Sequence, residues 1–126
     1  MTQRILVVDD NPTNLKLVMC VLELEGYQVD HAVDAEQAIA VLRDVVPDLI
    51  FMDISLPGMD GLTLARRLKT QERFKNVPIV ALTAFAMKGD EERAREAGCD
   101  GYIAKPIDTR AFPGQVAAYL RGAGRP

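Results

Sequence analysis

Five side chains scattered over the length of this sequence have types that could do chemistry together: the adjacent carboxylates Asp9 and Asp10, the carboxylate of Asp53, the hydroxyl of Thr83 and the ammonium of Lys105. Each stands at the end of a short apolar run. If those runs are parallel strands, all five side chains gather on one edge of a sheet. Two like charges about 4 Å apart repel by roughly 4 kcal/mol at an effective dielectric of 20, so three clustered carboxylates require a cation or protons. Lys105 supplies one positive charge. An oxygen-only donor set with room for water suits Mg²⁺, whose shell is completed by water and phosphate oxygens; no soft ligand stands with it to favour zinc. A carboxylate can also be a nucleophile that forms an acyl phosphate. Asp53 is the candidate for that role, with Asp9 and Asp10 placed to hold the metal. Lys105 would pair with one phosphoryl oxygen, and Thr83 would donate a hydrogen bond to another. Taken singly, Asp9-Asp10 before Asn11-Pro12, and Asp53 before Pro57-Gly58, also read as turn chemistry. That reading leaves Thr83 and Lys105 unexplained at the matching ends of later runs.

The elements that must position these residues follow from periodicity. The apolar runs are Ile5 to Val8, a weak one from Gln28 to Ala32, Leu49 to Met52, Ile79 to Leu82, and Tyr102 to Ala104. Between them lie helical patterns. After Pro12 comes a wide apolar stripe of Leu15, Val18 and Leu22 with Leu17, Val21 and Leu24, stopped by Gly26. After the N-cap Asp34 come Ala35, Ala38, Ile39, Leu42, Val45 and Val46, stopped by Pro47. A third helix opens near Gly61 with Leu64, Ala65 and Leu68 inward and Arg66, Arg67 and Lys69 outward. A fourth, Asp90 to Ala97, is nearly all charge and offers only Ala94 and Ala97 to a core. In the fifth, an interior Pro113 would remove a backbone hydrogen bond, so that helix is expected to start late, near Phe112 with Pro113 at its first position, and to run to about Arg121. Strands alternating with helices imply right-handed crossovers and an α/β, doubly wound parallel sheet covered on both faces. In such sheets ligands sit outside the carboxyl ends of the strands.

Composition bounds the rest. The chain has 126 residues, 48% of them apolar and 26% charged, so the expectation is one ordinary globular domain without a second module. Lys and Arg total 15 against 18 Asp and Glu, a net charge of −3 that argues against a nucleic-acid partner. No apolar stretch reaches the roughly 20 residues a membrane helix requires, so the expectation is a protein without a membrane partner, located in the cytoplasm. Cys20 and Cys99 form neither a metal-ligand spacing nor a disulfide framework and read as reduced packing residues. His31, the only histidine, falls at a strand end rather than on a helix. Residues 122–126 read as a frayed tail after a single domain of residues 1–121.

Taken at their spacings, Asp9-Asp10, Asp53 with Leu56-Pro57-Gly58-Met59-Asp60-Gly61, Thr83-Ala84 and Lys105-Pro106 resemble the receiver domains of two-component response regulators, over residues 4 to about 121. The resemblance implies a flavodoxin-like, three-layer α/β/α fold with strand order 2-1-3-4-5. It implies that Asp53 accepts a phosphoryl group from a phosphohistidine on a sensor histidine kinase or a histidine phosphotransfer protein. Asp10 and Asp53 would ligate Mg²⁺ directly, Asp9 directly or through water, and the Ser55 backbone carbonyl would supply another oxygen. Thr83 would move toward the phosphate and Tyr102 turn into the space it leaves. The Lys105-Pro106 bond would be cis. A downstream protein would read the face formed by the fourth helix, fifth strand and fifth helix. Phe85, at a position that in this family flanks the path of hydrolytic water, would slow loss of the phosphoryl group. The segments Asp10 to Asn14 and Thr83 to Arg93 further resemble stand-alone cell-cycle receivers of the DivK type.

Two rival readings stand beside this one. A phosphatase working through an aspartyl phosphate would require an acidic residue two positions after the nucleophile, where Ser55 stands. A flavin-binding domain of the same topology would require a Gly/Ser/Thr-rich loop after the first strand, where the sequence is Asp9-Asp10-Asn11-Pro12.

Overall fold

The computed structural model describes residues 3–54, 56, 58–83, 89–105 and 107–122, with only the backbone of Asp90 and Gly122. Five strands alternate with five helices in chain order: β1 Arg4–Val8, α1 Pro12–Leu24, β2 Gln28–Ala32, α2 Ala35–Asp44, β3 Leu49–Asp53, α3 Gly61–Lys69, β4 Ile79–Thr83, α4 Asp90–Glu96, β5 Gly101–Ala104 and α5 Phe112–Gly122. All neighbouring strands are parallel, in the order β2-β1-β3-β4-β5. The doubly wound sheet and its strand order are as expected.

Alternation along each strand divides the core in two. Leu6, Val8, Ile50, Met52, Ile79 and Ala81 face α2, α3 and α4. Ile5, Val7, Leu49, Phe51, Val80 and Leu82 face α1 and α5. The three central strands are therefore apolar and buried from Ile5 to Val8, Leu49 to Met52 and Ile79 to Leu82, because both faces are covered. Edge strand β2 carries polar residues, and its Asp30 accepts from the Arg4 guanidinium at 2.8 Å.

The helices begin where their capping residues stand. The side chains of Asn11, Asp34 and Asp60 accept from the backbone N–H groups of Asn14, Gln37 and Thr63 at 3.0, 2.8 and 2.8 Å. Pro113 is the second residue of α5 rather than the first. The turn before it is closed by the Asp108 carboxylate, which accepts from Arg110 N–H at 3.0 Å. Phe112 then anchors the helix on the central strand, its ring centroid 5.1 Å from that of Phe51.

Four expectations are corrected. Leu24 is 85% exposed and Leu17 also faces solvent. A helix turns about 100° per residue, so Leu24 lies roughly 200° round from the buried Leu22. Val46 is exposed because α2 ends at Asp44 and Val45 is already extended, the backbone leading into Pro47. Cys20 lies on the exposed side of α1, whereas Cys99 is buried. Lys69 does not point outward: its ammonium donates to the Val77 carbonyl and to Asp100, each at 2.8 Å, fastening the end of α3 to the start of β4. Residues 123–126 lie outside the described residues.

Candidate functional site

The carboxyl ends of β1, β3, β4 and β5 deliver the expected side chains to one edge of the sheet. Asp9 follows β1, and its N–H still donates to the Ala32 carbonyl at 3.0 Å. Asp53 is the last residue of β3, in register with Leu82 of β4. Thr83 ends β4 beside Ala104 of β5. Lys105 stands one residue past β5, its N–H donating to the Thr83 carbonyl at 2.6 Å. Asp9, Asp53 and Thr83 are 0%, 4% and 2% exposed, while Asp10 faces solvent.

Two buried carboxylates side by side are tolerated because each has donors. One Asp9 oxygen accepts from the Asn11 N–H at 2.9 Å. The other accepts from the side-chain amide of Asn14 and from the Lys105 ammonium, the latter at 2.9 Å. The same ammonium reaches Asp53 at 2.9 Å. Burial alone would lower the Lys105 pKa, but its hydrogen bonds to Asp53 and Asp9, and their charges, outweigh that and hold it above the ordinary lysine value. Lys105 is therefore a fixed cation between two anions. One oxygen from each of Asp9, Asp10 and Asp53 lies within 4.8 Å of the others. Three carboxylates against one ammonium leave an excess of negative charge that only oxygen donors face, and this fits a hard divalent cation.

Asp9, Asp10, Asp53, Thr83 and Lys105 thus share one edge. Tyr102, half-buried on β5, lies against the core layer under α2, α3 and α4. Ser55, Phe85 and the Lys105-Pro106 peptide bond lie outside the described residues.

Asn14 and Gly61 each support the site in a way the sequence analysis does not assign. Asn14 holds Asp9 from the first turn of α1; the pattern Asp9-x-Asn11-x-x-Asn14, one capping asparagine followed a turn later by another, was the available signal. Gly61 starts α3 directly against the end of β3, where a Cβ would stand 2.0 Å from the Asp53 carbonyl oxygen. Only glycine permits that approach, which brings the helix up to the Asp53 backbone.

Residues 5–117 match the model of the response regulator receiver domain. The chain is 42% identical over 123 residues to the polar-differentiation response regulator DivK of Brucella ovis, covering 98% of this chain and 100% of that one. Among solved structures it is similar to the receiver domain of the sensor histidine kinase PA1611 from Pseudomonas aeruginosa, which holds a magnesium ion in its active-site cleft (36% identity, TM-score 0.87, 96% of this chain and 99% of that one). It is also similar to the receiver domain of a signal transduction histidine kinase from Syntrophus aciditrophicus (34% identity, TM-score 0.89, 99% of this chain and 95% of that one). With matching sequence over nearly its full length and the fold that its relatives share, this chain belongs to the response regulator receiver domain family of two-component signalling and is DivK-like within it.

Proposed function

We propose that Asp53 is the phosphoacceptor and that its phosphorylation, dependent on Mg²⁺, controls a protein contact. The observation that carries the reading is the Lys105 ammonium held 2.9 Å from both Asp9 and Asp53 beside a three-carboxylate cluster. An Asp53 oxygen attacks the phosphorus of a phosphohistidine on a sensor histidine kinase or histidine phosphotransfer protein. The phosphorus–nitrogen bond breaks, and its electron pair leaves with the imidazole. The product is an acyl phosphate on Asp53. Lys105 pairs with one phosphoryl oxygen and the Thr83 hydroxyl donates to another, so charge developing in transfer meets donors already in place. Asp10 and Asp53 would hold Mg²⁺ directly, Asp9 directly or through water, with the Ser55 carbonyl as a further donor. When bound, the ion neutralises phosphoryl oxygens as they approach the carboxylates.

The output follows from what lies beside Thr83. Phosphorylation adds about −1.5 to −2 charge and strong acceptor oxygens at Asp53. Thr83 moves toward them, Tyr102 turns inward, and α4 shifts in response. A downstream partner reads the change on α4, β5 and α5. Such a module turns over nothing but its own phosphoryl group.

Incubation with acetyl phosphate and Mg²⁺, followed by intact mass measurement, tests the reading. Wild type gains a single phosphoryl group and Asp53→Asn gains none. A modified Asp53→Asn, or a wild type left unmodified with and without Mg²⁺, contradicts it.

A further inference from the structure

Away from the Asp53 edge, residues of α2, of α3 and of the segment after α3 line a surface groove of about 220 Å³. Its floor is Ile39 with the edges of Leu42, Leu64, Leu68 and Phe74. Three guanidinium groups, Arg43, Arg67 and Arg73, stand at its rim, all on exposed residues, and among the described residues no carboxylate lines it. Among the described residues none of the three is in an ion pair. Arg73 lies over the Phe74 ring with its guanidinium carbon 5.0 Å from the centroid, which holds that charge at the rim.

The charge of this face runs against that of the chain. Arg43, Arg67 and Arg73 put three positive charges around this groove, in a chain whose net charge is −3. Unpaired arginines around an apolar recess match one kind of occupant by charge and shape: an acidic segment with one large apolar side chain. Arginines serve such a site well, since each can grip a carboxylate with two parallel hydrogen bonds.

We propose that the groove between α2 and α3 is a second docking surface, for an acidic peptide segment of a partner protein that seats a single apolar anchor over Ile39. It is separate from the Asp53 edge and from the α4, β5 and α5 face, so a partner held here can remain attached whatever the state of Asp53. The surface acts as a tether.

The test uses a labelled synthetic peptide of glutamates and aspartates with one central leucine, read by fluorescence anisotropy and by backbone amide NMR. At low salt, saturable binding is expected with a Kd of roughly 10–100 µM, the weak range of a small charged contact. The shifted amides should centre on α2 and α3. Arg67→Glu combined with Arg73→Glu should weaken binding by about tenfold or more, and replacing the central leucine by serine should weaken it about tenfold. Arg43→Glu, a single change at an exposed position, should weaken binding in the same direction, and circular dichroism confirms that each variant is folded. Equal affinity for the charge-reversed protein, shifts elsewhere on the molecule, or attachment to phosphatidylglycerol vesicles in place of the peptide would each overturn the proposal.

Discussion

Lys105 is the residue on which the acidic edge depends when no metal is present. Its ammonium contacts two carboxylates that are almost completely buried, and removal would leave like charges facing each other. Lys105→Met in buffer containing a chelator should therefore lower the unfolding free energy by about 1–3 kcal/mol, read by urea titration. Part of that loss should return on adding Mg²⁺, which binds the folded state alone. Because its folded pKa lies above the ordinary value, Lys105 contributes fully below about pH 10, and the contribution disappears only as pH rises through the folded value. A second titration has the same direction from a different cause. Burial, with a smaller push from Asp100 and an opposing pull from Lys69, raises the Cys99 thiol to about 11. The folded chain then holds that proton where the unfolded chain has lost it, so stability falls as pH rises from about 9 toward 11. Between pH 7 and pH 10 the wild type should lose about 1–2 kcal/mol more than Cys99→Ala. The exposed Cys20 thiol should react with a thiol reagent in the native protein while Cys99 waits for unfolding.

Among the helices α4 is the least anchored. Within the described residues its buried contacts are Ala94 and the capping Ala97, its N-cap Gly89 has a positive φ and makes no side-chain cap bond, and its exposed face is an Arg95–Glu91 pair at 3.1 Å. Elements with so few apolar contacts rearrange at little cost. Hydrogen exchange should show amides of α4 changing their protection when acetyl phosphate is added. Thr83→Ala should still accept the phosphoryl group yet leave α4 protection unchanged; an α4 response equal to wild type would remove Thr83 from the switch. Element placement was largely readable in the sequence because caps and periodicity agreed: Asp34 opens α2, Pro47 follows its end, and a late α5 follows from Pro113. The misses have particular reasons. An apolar residue such as Leu24 inside a wide stripe gives no sign of which side of it meets the sheet. Lys69 reads as a surface cation in a run of cations, and only the fold reveals that the Val77 carbonyl and Asp100 come within its reach.

At the scale of the molecule, parallel topology turns four distant residues into one site: strands that end on the same edge bring Asp9, Asp53, Thr83 and Lys105 together without any being close in sequence. This convergence could be anticipated, since each residue stood at the end of an apolar run. The support around it could not, because Asn14 and Gly61 act through a side-chain contact and a backbone approach that residue type alone does not encode. The opposite sign of charge on the α2 and α3 face likewise emerges only when Arg43 and Arg73 come together around a shared recess. Of three neighbouring carboxylates, Asp53 alone is proposed to take the phosphoryl group. Treating the phosphorylated protein with borohydride reduces an acyl phosphate to an alcohol and marks its position for peptide sequencing by mass spectrometry. The mark is expected at residue 53 and at neither Asp9 nor Asp10; a mark on either of those, or none after phosphorylation in Mg²⁺, would contradict the account.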